Sequence, residues 1–118
     1  MGKLTTHVLD TANGKPGQGI AISLHRVDGT NRVPLCTTVT NSDGRCDQPM
    51  LEGDEMVAGI YELEFAVGDY FRSQAHPDIR SPAFLDNVIL RFGIAEAREH
   101  YHVPLLVSPY GYSTYRGS

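Results

Sequence analysis

IYELEFAVGDYF, residues 60–71, decides how this chain folds. Tyr61, Leu63, Phe65 and Val67 recur with a period of two, and Glu62 and Glu64 fall between them. A helix would scatter that apolar set around its circumference. An extended chain puts all of it on one side and sends both glutamates to the other. The overlapping segment GDYFRSQAHP, starting at Gly68, can hold a short helix that stops before Pro77, because proline disfavours helical geometry in the residue preceding it.

The same period appears elsewhere. In GIAISLHRV, residues 19–27, Ile20, Ile22 and Leu24 alternate with Ala21, Ser23 and His25; NVILRFGIA, residues 87–95, puts Val88, Leu90, Phe92 and Ile94 on one side. Turn chemistry separates these runs. Asn13-Gly14 and Pro16-Gly17 stand between the first two strands, and Ser42-Asp43-Gly44 closes another pair. Pro34 and Pro49 bracket weaker strands, and His76-Pro77 with Ser81-Pro82 mark a loop. About seven or eight short strands at this spacing predict an all-β chain, an antiparallel β-sandwich forming one domain over residues 1–118.

Bulk composition narrows the function. A chain of 118 residues, 41% hydrophobic and 20% charged, can bury one core without help from a partner. Ten basic and fourteen acidic residues leave a net charge of -4 with no basic run, which argues against a nucleic-acid or anionic-membrane surface. No stretch approaches the roughly twenty apolar residues of a membrane span. MGKLTTHVLD lacks the apolar core of a secretory signal, so the expected location is cytoplasmic, or periplasmic if a leader has been removed. Cys36 and Cys46 read as free thiols, since no CxxC or Cys/His spacing suggests zinc.

A sandwich has no deep interior pocket, so chemistry must sit on loops, rims or an outer sheet face. In HYHVPLLVSPYGYSTYRGS, residues 100–118, alternation turns Val103, Leu105 and Val107 inward and His102, Pro104 and Leu106 outward. Beyond the turn at Pro109-Tyr110-Gly111, Tyr112, Thr114, Arg116 and Ser118 share one side. A hairpin here is expected to put His102 and Arg116 on the same outer face. THVLD buries Val8 and leaves His7 outward beside Leu9. Histidine can take a proton from water and return it to a leaving nitrogen, and arginine can grip a flat, carbonyl-rich ligand and offset an oxyanion. No nucleophile elbow and no catalytic cysteine signature appear, so direct attack by water is the economical route. His25, His76 and His100 read as ordinary surface histidines. Two strand histidines without a third ligand do not make a metal site.

LTTHVLDTANGKPGQGI at the start and HYHVPLLVSPYGYSTYRGS at the end resemble the signatures of the 5-hydroxyisourate hydrolases, the transthyretin-related family. The terminal Tyr-Arg-Gly-Ser is the family's most specific mark. The resemblance covers the whole chain and implies a transthyretin-like β-sandwich of two four-stranded sheets with one short helix. It implies a homotetramer, a dimer of dimers, with sites where dimers meet. It also implies catalytic roles for His7, His102 and Ser118, and substrate-binding roles for Arg45, Tyr115, Arg116 and Gly117, with no cofactor or metal. The reaction implied is hydrolysis of a ring amide in 5-hydroxyisourate. The rival reading is a transthyretin-type carrier of small molecules; such carriers lack the terminal tetrapeptide and the histidine pattern.

Overall fold

The computed structural model describes residues 2–74 and 79–117. Along these run β1 (Lys3–Asp10), β2 (Lys15–Pro16), β3 (Ala21–Asp28), β4 (Asn31–Val39) and β5 (Leu51–Glu52). A 3-10 turn at Gly53–Glu55 follows, then β6 (Gly59–Phe65), α1 (Val67–Ser73), β7 (Val88–Ile94), β8 (Tyr101–Ser108) and β9 (Gly111–Thr114). The expectations placed on His76 and Ser118 fall outside the described residues.

Two sheets carry the fold. One has the order β4-β3-β6-β7; the other runs β2-β1-β8-β9, with β5 also on β1. That second sheet has five strands where four were expected, because two short pieces divide one edge of β1: Lys15–Pro16 pairs near Leu9, and Leu51–Glu52 pairs near Leu4. A second departure matters more for the site. β1 and β8 lie parallel, with Thr5 opposite His102 and His7 opposite Pro104. A parallel pair needs a long crossover, and the entire other sheet supplies it here. Pro34, read as a strand boundary, lies within β4, where an edge strand with a register shift opposite Leu24 and His25 tolerates it.

The inward faces follow the alternation. Leu4, Val8, Leu105 and Val107 from one sheet join Ile22, Leu24, Tyr61, Leu63 and Phe65 from the other in one core cluster. Burying each such aliphatic or phenyl side chain contributes about 1.5–3 kcal/mol. α1 starts directly after β6 and adds Val67, Tyr70 and Phe71 to that core. Tyr70 also donates its hydroxyl to Asp10 Oδ2 at 2.6 Å, and the same carboxylate accepts from the backbone and side chain of Asn13. Thus the helix and the turn after β1 are tied to one buried acid at the end of the strand that carries His7.

Glu62 keeps to the alternation. It does face away from the core, yet it is only 6% exposed. Arg32 Nε reaches it at 2.6 Å from β4, and Arg91 Nε at 2.9 Å from β7. Glu64 is held by Arg32 Nη2 at 2.8 Å and by Asn87 Nδ2 at 2.7 Å. Arginine stems and heads roof the outer face of this sheet, a cover that a period of two cannot anticipate.

Candidate active site

The outer face of the β1·β8 pair gathers the titratable chemistry. Thr5 and His7 stand two residues apart on one face of β1, about 6.6 Å along the strand. The parallel register sets His102 of β8 opposite Thr5, with its ring reaching toward both neighbours. Its Nδ1 lies 2.8 Å from Thr5 Oγ1, and its Nε2 lies 2.7 Å from His7 Nδ1. The planes of the two rings are 20° from parallel and their centroids are 4.9 Å apart. Thr6, on the inner face, donates to Val103 O at 2.6 Å and fixes the two strands in this register.

Arg45 is placed by its turn. Ser42-Asp43-Gly44 does not close a strand pair as expected; β4 ends at Val39, and after the turn Arg45 makes an isolated antiparallel bridge to His7. Asn41 organises the turn, accepting from the amides of Asp43 and Arg45 and donating its own amide to Arg45 O at 2.7 Å. Val8 N donates to Gly44 O at 2.8 Å. A Cβ on Gly44 would lie 2.4 Å from Val8 O, and its φ of +74° is the left-handed region, so glycine lets the turn seat against β1.

Both imidazoles have pKa values below the ordinary histidine value. Burial lowers His7 first, followed by the charges of His102 and Arg45; burial also leads for His102, with Arg45 second. The burial of the two rings and the positive charge of Arg45 favour the neutral pair. Among the described residues, no three His, Cys, Asp or Glu side chains gather as metal ligands. Cys36 and Cys46 are free thiols.

The terminal residues divide. Gly117, not Arg116, lies opposite His102, and its N–H donates to His102 O at 2.7 Å. β9 pairs Thr114 with Leu105 and Tyr112 with Val107, so Tyr112, Thr114 and, by continuation, Arg116 take the inward-facing parity. The expectation that His102 and Arg116 share the outer face is therefore wrong. Alternation within each strand was right, but the register between them sets the face, and one residue of offset inverts it. Arg116 packs over the Tyr101 ring, with Cζ 4.0 Å from its centroid, and donates to Glu99 Oε1 and His100 O. With Tyr115 it lines a cleft of ≈ 450 Å³ at the edge between β7 and β9, away from the imidazole pair. Thr5 went unread in the sequence. The available signal was its place two residues before His7, on the same face.

A two-sheet sandwich with a parallel β1·β8 pair, one helix after β6 and a neutral imidazole pair beside a guanidinium defines a transthyretin-like protein equipped for proton transfer. The chain belongs to the HIUase/Transthyretin family, which it matches over residues 4–117. It is 62% identical over 118 residues to 5-hydroxyisourate hydrolase of Ralstonia nicotianae, covering all of both chains. With 5-hydroxyisourate hydrolase of Pseudomonas aeruginosa the identity is 60%, across all of this chain and 93% of that one. Among solved structures, Klebsiella pneumoniae 5-hydroxyisourate hydrolase superposes with a TM-score of 0.82 at 34% identity over the full length of both. (S)-allantoin synthase superposes with a TM-score of 0.93 at 48% identity, and the chain spans 99% of itself but 44% of that longer protein.

Proposed function

We propose that the chain hydrolyses 5-hydroxyisourate, the product of urate oxidation, to 2-oxo-4-hydroxy-4-carboxy-5-ureidoimidazoline by direct attack of water on a ring amide. The observation that carries the mechanism is the 2.7 Å contact between His7 Nδ1 and His102 Nε2 beside Arg45. With Nδ1 of His7 engaged, Nε2 is the nitrogen it can offer to water. As that nitrogen takes a proton, the water oxygen adds to the amide carbonyl. Arg45 offsets the charge on the resulting oxyanion. The C–N bond then breaks and the ring opens, the proton passes to the departing nitrogen, and the acyl carbon remains on the product as a carboxylic acid that gives the second water proton to solvent. General-base assistance of this kind contributes roughly 10²–10⁴-fold.

Gly117 lies against His102, and through the terminal motif Tyr115 takes a substrate-binding role and Ser118 a catalytic one. Arg116 would have to leave Glu99 and Tyr101 to touch a ligand held at the imidazoles. Assembly as a homotetramer, a dimer of dimers, completes the reading. The imidazole face is open in a single chain, and a facing copy would enclose it. The edges at β7 and β9, with exposed Ile89 and Tyr112, leave room for such association. The test generates 5-hydroxyisourate in place from urate and urate oxidase and follows its absorbance. Decay faster than the spontaneous rate is expected, and no acceleration at any enzyme concentration overturns the proposal.

A further inference from the structure

His102 is engaged at both ring nitrogens, by His7 at Nε2 and by Thr5 at Nδ1. Thr5 Oγ1 lies 2.8 Å from Nδ1, on the side of the ring opposite His7. The contact is built into the ladder, since Thr5 and His102 are direct partners across β1 and β8. A neutral imidazole has one N–H and one lone pair, whereas a hydroxyl can donate or accept. The series Thr5, His102, His7 therefore has two proton orders, and each fixes what His7 presents to a ligand.

If Thr5 donates to Nδ1, His102 carries its hydrogen on Nε2 and donates it to His7 Nδ1. His7 then bears its hydrogen on Nε2 and presents an acid. If Thr5 accepts from an Nδ1–H of His102, the order reverses. His102 Nε2 becomes a lone pair that accepts from His7 Nδ1–H, and His7 Nε2 is left bare as a base. The two arrangements use the same atoms at the same distances, and only the second leaves His7 Nε2 able to receive the water proton that the proposed hydrolysis requires.

We infer that Thr5 is a positioning residue that holds His102 in the Nδ1–H tautomer and thereby leaves His7 Nε2 bare to receive a proton from the attacking water. The inference deepens the proposed hydrolysis and rests on it for its catalytic meaning. Proton accounting closes without any rotation of the hydroxyl. When His7 Nε2 takes the water proton, the Nδ1 proton of His7 shifts to His102 Nε2. The positive charge then sits on His102, which donates from Nδ1 to Thr5 and from Nε2 to His7. As His7 gives its Nε2 proton to the departing nitrogen, His102 returns the shifted proton to His7 Nδ1, and the starting order is restored. Throughout, Thr5 oxygen accepts the one hydrogen bond that a charged His102 could not make to His7.

Long-range 1H–15N spectra of histidine-labelled protein, recorded above the titration of both rings, read the tautomers without substrate. The wild type is expected to show Nδ1–H forms of both His102 and His7. Thr5→Val keeps the shape and removes the acceptor; it should move both rings toward Nε2–H and lower kcat about 10²-fold with KM little changed. Thr5→Ser should restore tautomers and kcat together. Nε2–H forms in the wild type, or a Thr5→Val protein with wild-type tautomers and kcat, would overturn the inference. If Thr5→Val fails to fold, the wild-type and Thr5→Ser spectra still decide. Wild-type protein that shows the expected tautomers but no hydrolysis would reject the functional reading and spare the assignment of Thr5.

Discussion

Arg45 pairs with His7 through an isolated antiparallel bridge, on a turn that Gly44 seats against the backbone of Val8. A cation is thus attached to the same strand position as one member of the imidazole pair, and its charge acts on both rings. The consequence is electrostatic before it is catalytic. Protonating either ring is harder than protonating a histidine in water, so the neutral pair needed for base chemistry persists to lower pH.

The acid limb of kcat/KM should therefore lie below the ordinary histidine value of 6.5. Burial is the leading cause, so Arg45→Gln should move the limb only part of the way back up, together with a higher KM. The linkage sign agrees. With folded-state pKa values lowered, the unfolded chain binds more protons in this range, so the contribution to stability is present above 6.5 and lost as pH falls through the folded values. A pH–rate profile and urea midpoints over the same range check both. An acid limb above 6.5 would contradict the neutral pair.

His102→Ala should reduce turnover by about 10²-fold or more and leave the melting temperature close to that of the wild type, because the ring is half-buried on an outer face. His100→Ala is the matched control. His100 is exposed, and the contact that Arg116 makes there is to its backbone oxygen, which alanine keeps. Equal losses in the two variants would mean that turnover does not depend on the imidazole pair.

The inward faces of β1, β3, β6, β7 and β8 were legible because a period of two needs only the strand itself. His7 and His102 were read as outward-facing for the same reason. What could not be read depended on pairing between distant segments. The parallel β1·β8 register, which sets Thr5 beside His102, joins residues 97 apart in the chain, and no local pattern encodes it. Arg116 was assigned to the wrong face because the register of β9 against β8 was unknown. The cover over Glu62 is not legible in its own strand, because the arginines that supply it come from β4 and β7, on either side of the β3·β6 pair. The catalytic assignments came from the family resemblance, which alternation could place on a face but not derive.

Tyr70→Phe should destabilise the fold by about 1.5–3 kcal/mol, the usual worth of a hydrogen bond to a charged group. The lost bond is the 2.6 Å contact to Asp10 in the buried end of β1. Burial tends to raise the pKa of Asp10, but the hydrogen bonds from Tyr70 and Asn13 outweigh it, and the net shift is downward from 3.8. Stability from this acid is accordingly present above 3.8 and lost as pH falls below it. Urea unfolding of both proteins should show the gap at neutral pH narrowing on acidification. A constant gap down to complete protonation would remove Asp10 from the explanation.

Gly117→Ala tests whether the terminal segment shapes the site through backbone contact. Gly117 donates its N–H to His102 O at 2.7 Å, so its own Cα is held against the histidine. An added Cβ would lie 3.0 Å from His102 Cδ2 and 3.2 Å from its Cβ, tighter than ordinary packing allows. Either the tail withdraws or the imidazole turns, and turning the ring stretches the bonds to Thr5 and His7 together. A displacement of about 1 Å at a reacting group costs up to roughly 10²-fold in rate. The variant should therefore fold normally and lose about tenfold to 10²-fold in kcat, with the His102 ring resonances displaced in the same spectra that report its tautomer. If the tail withdraws instead, KM should rise while those resonances stay in place. Wild-type kcat and KM together would show that the glycine is not required against His102.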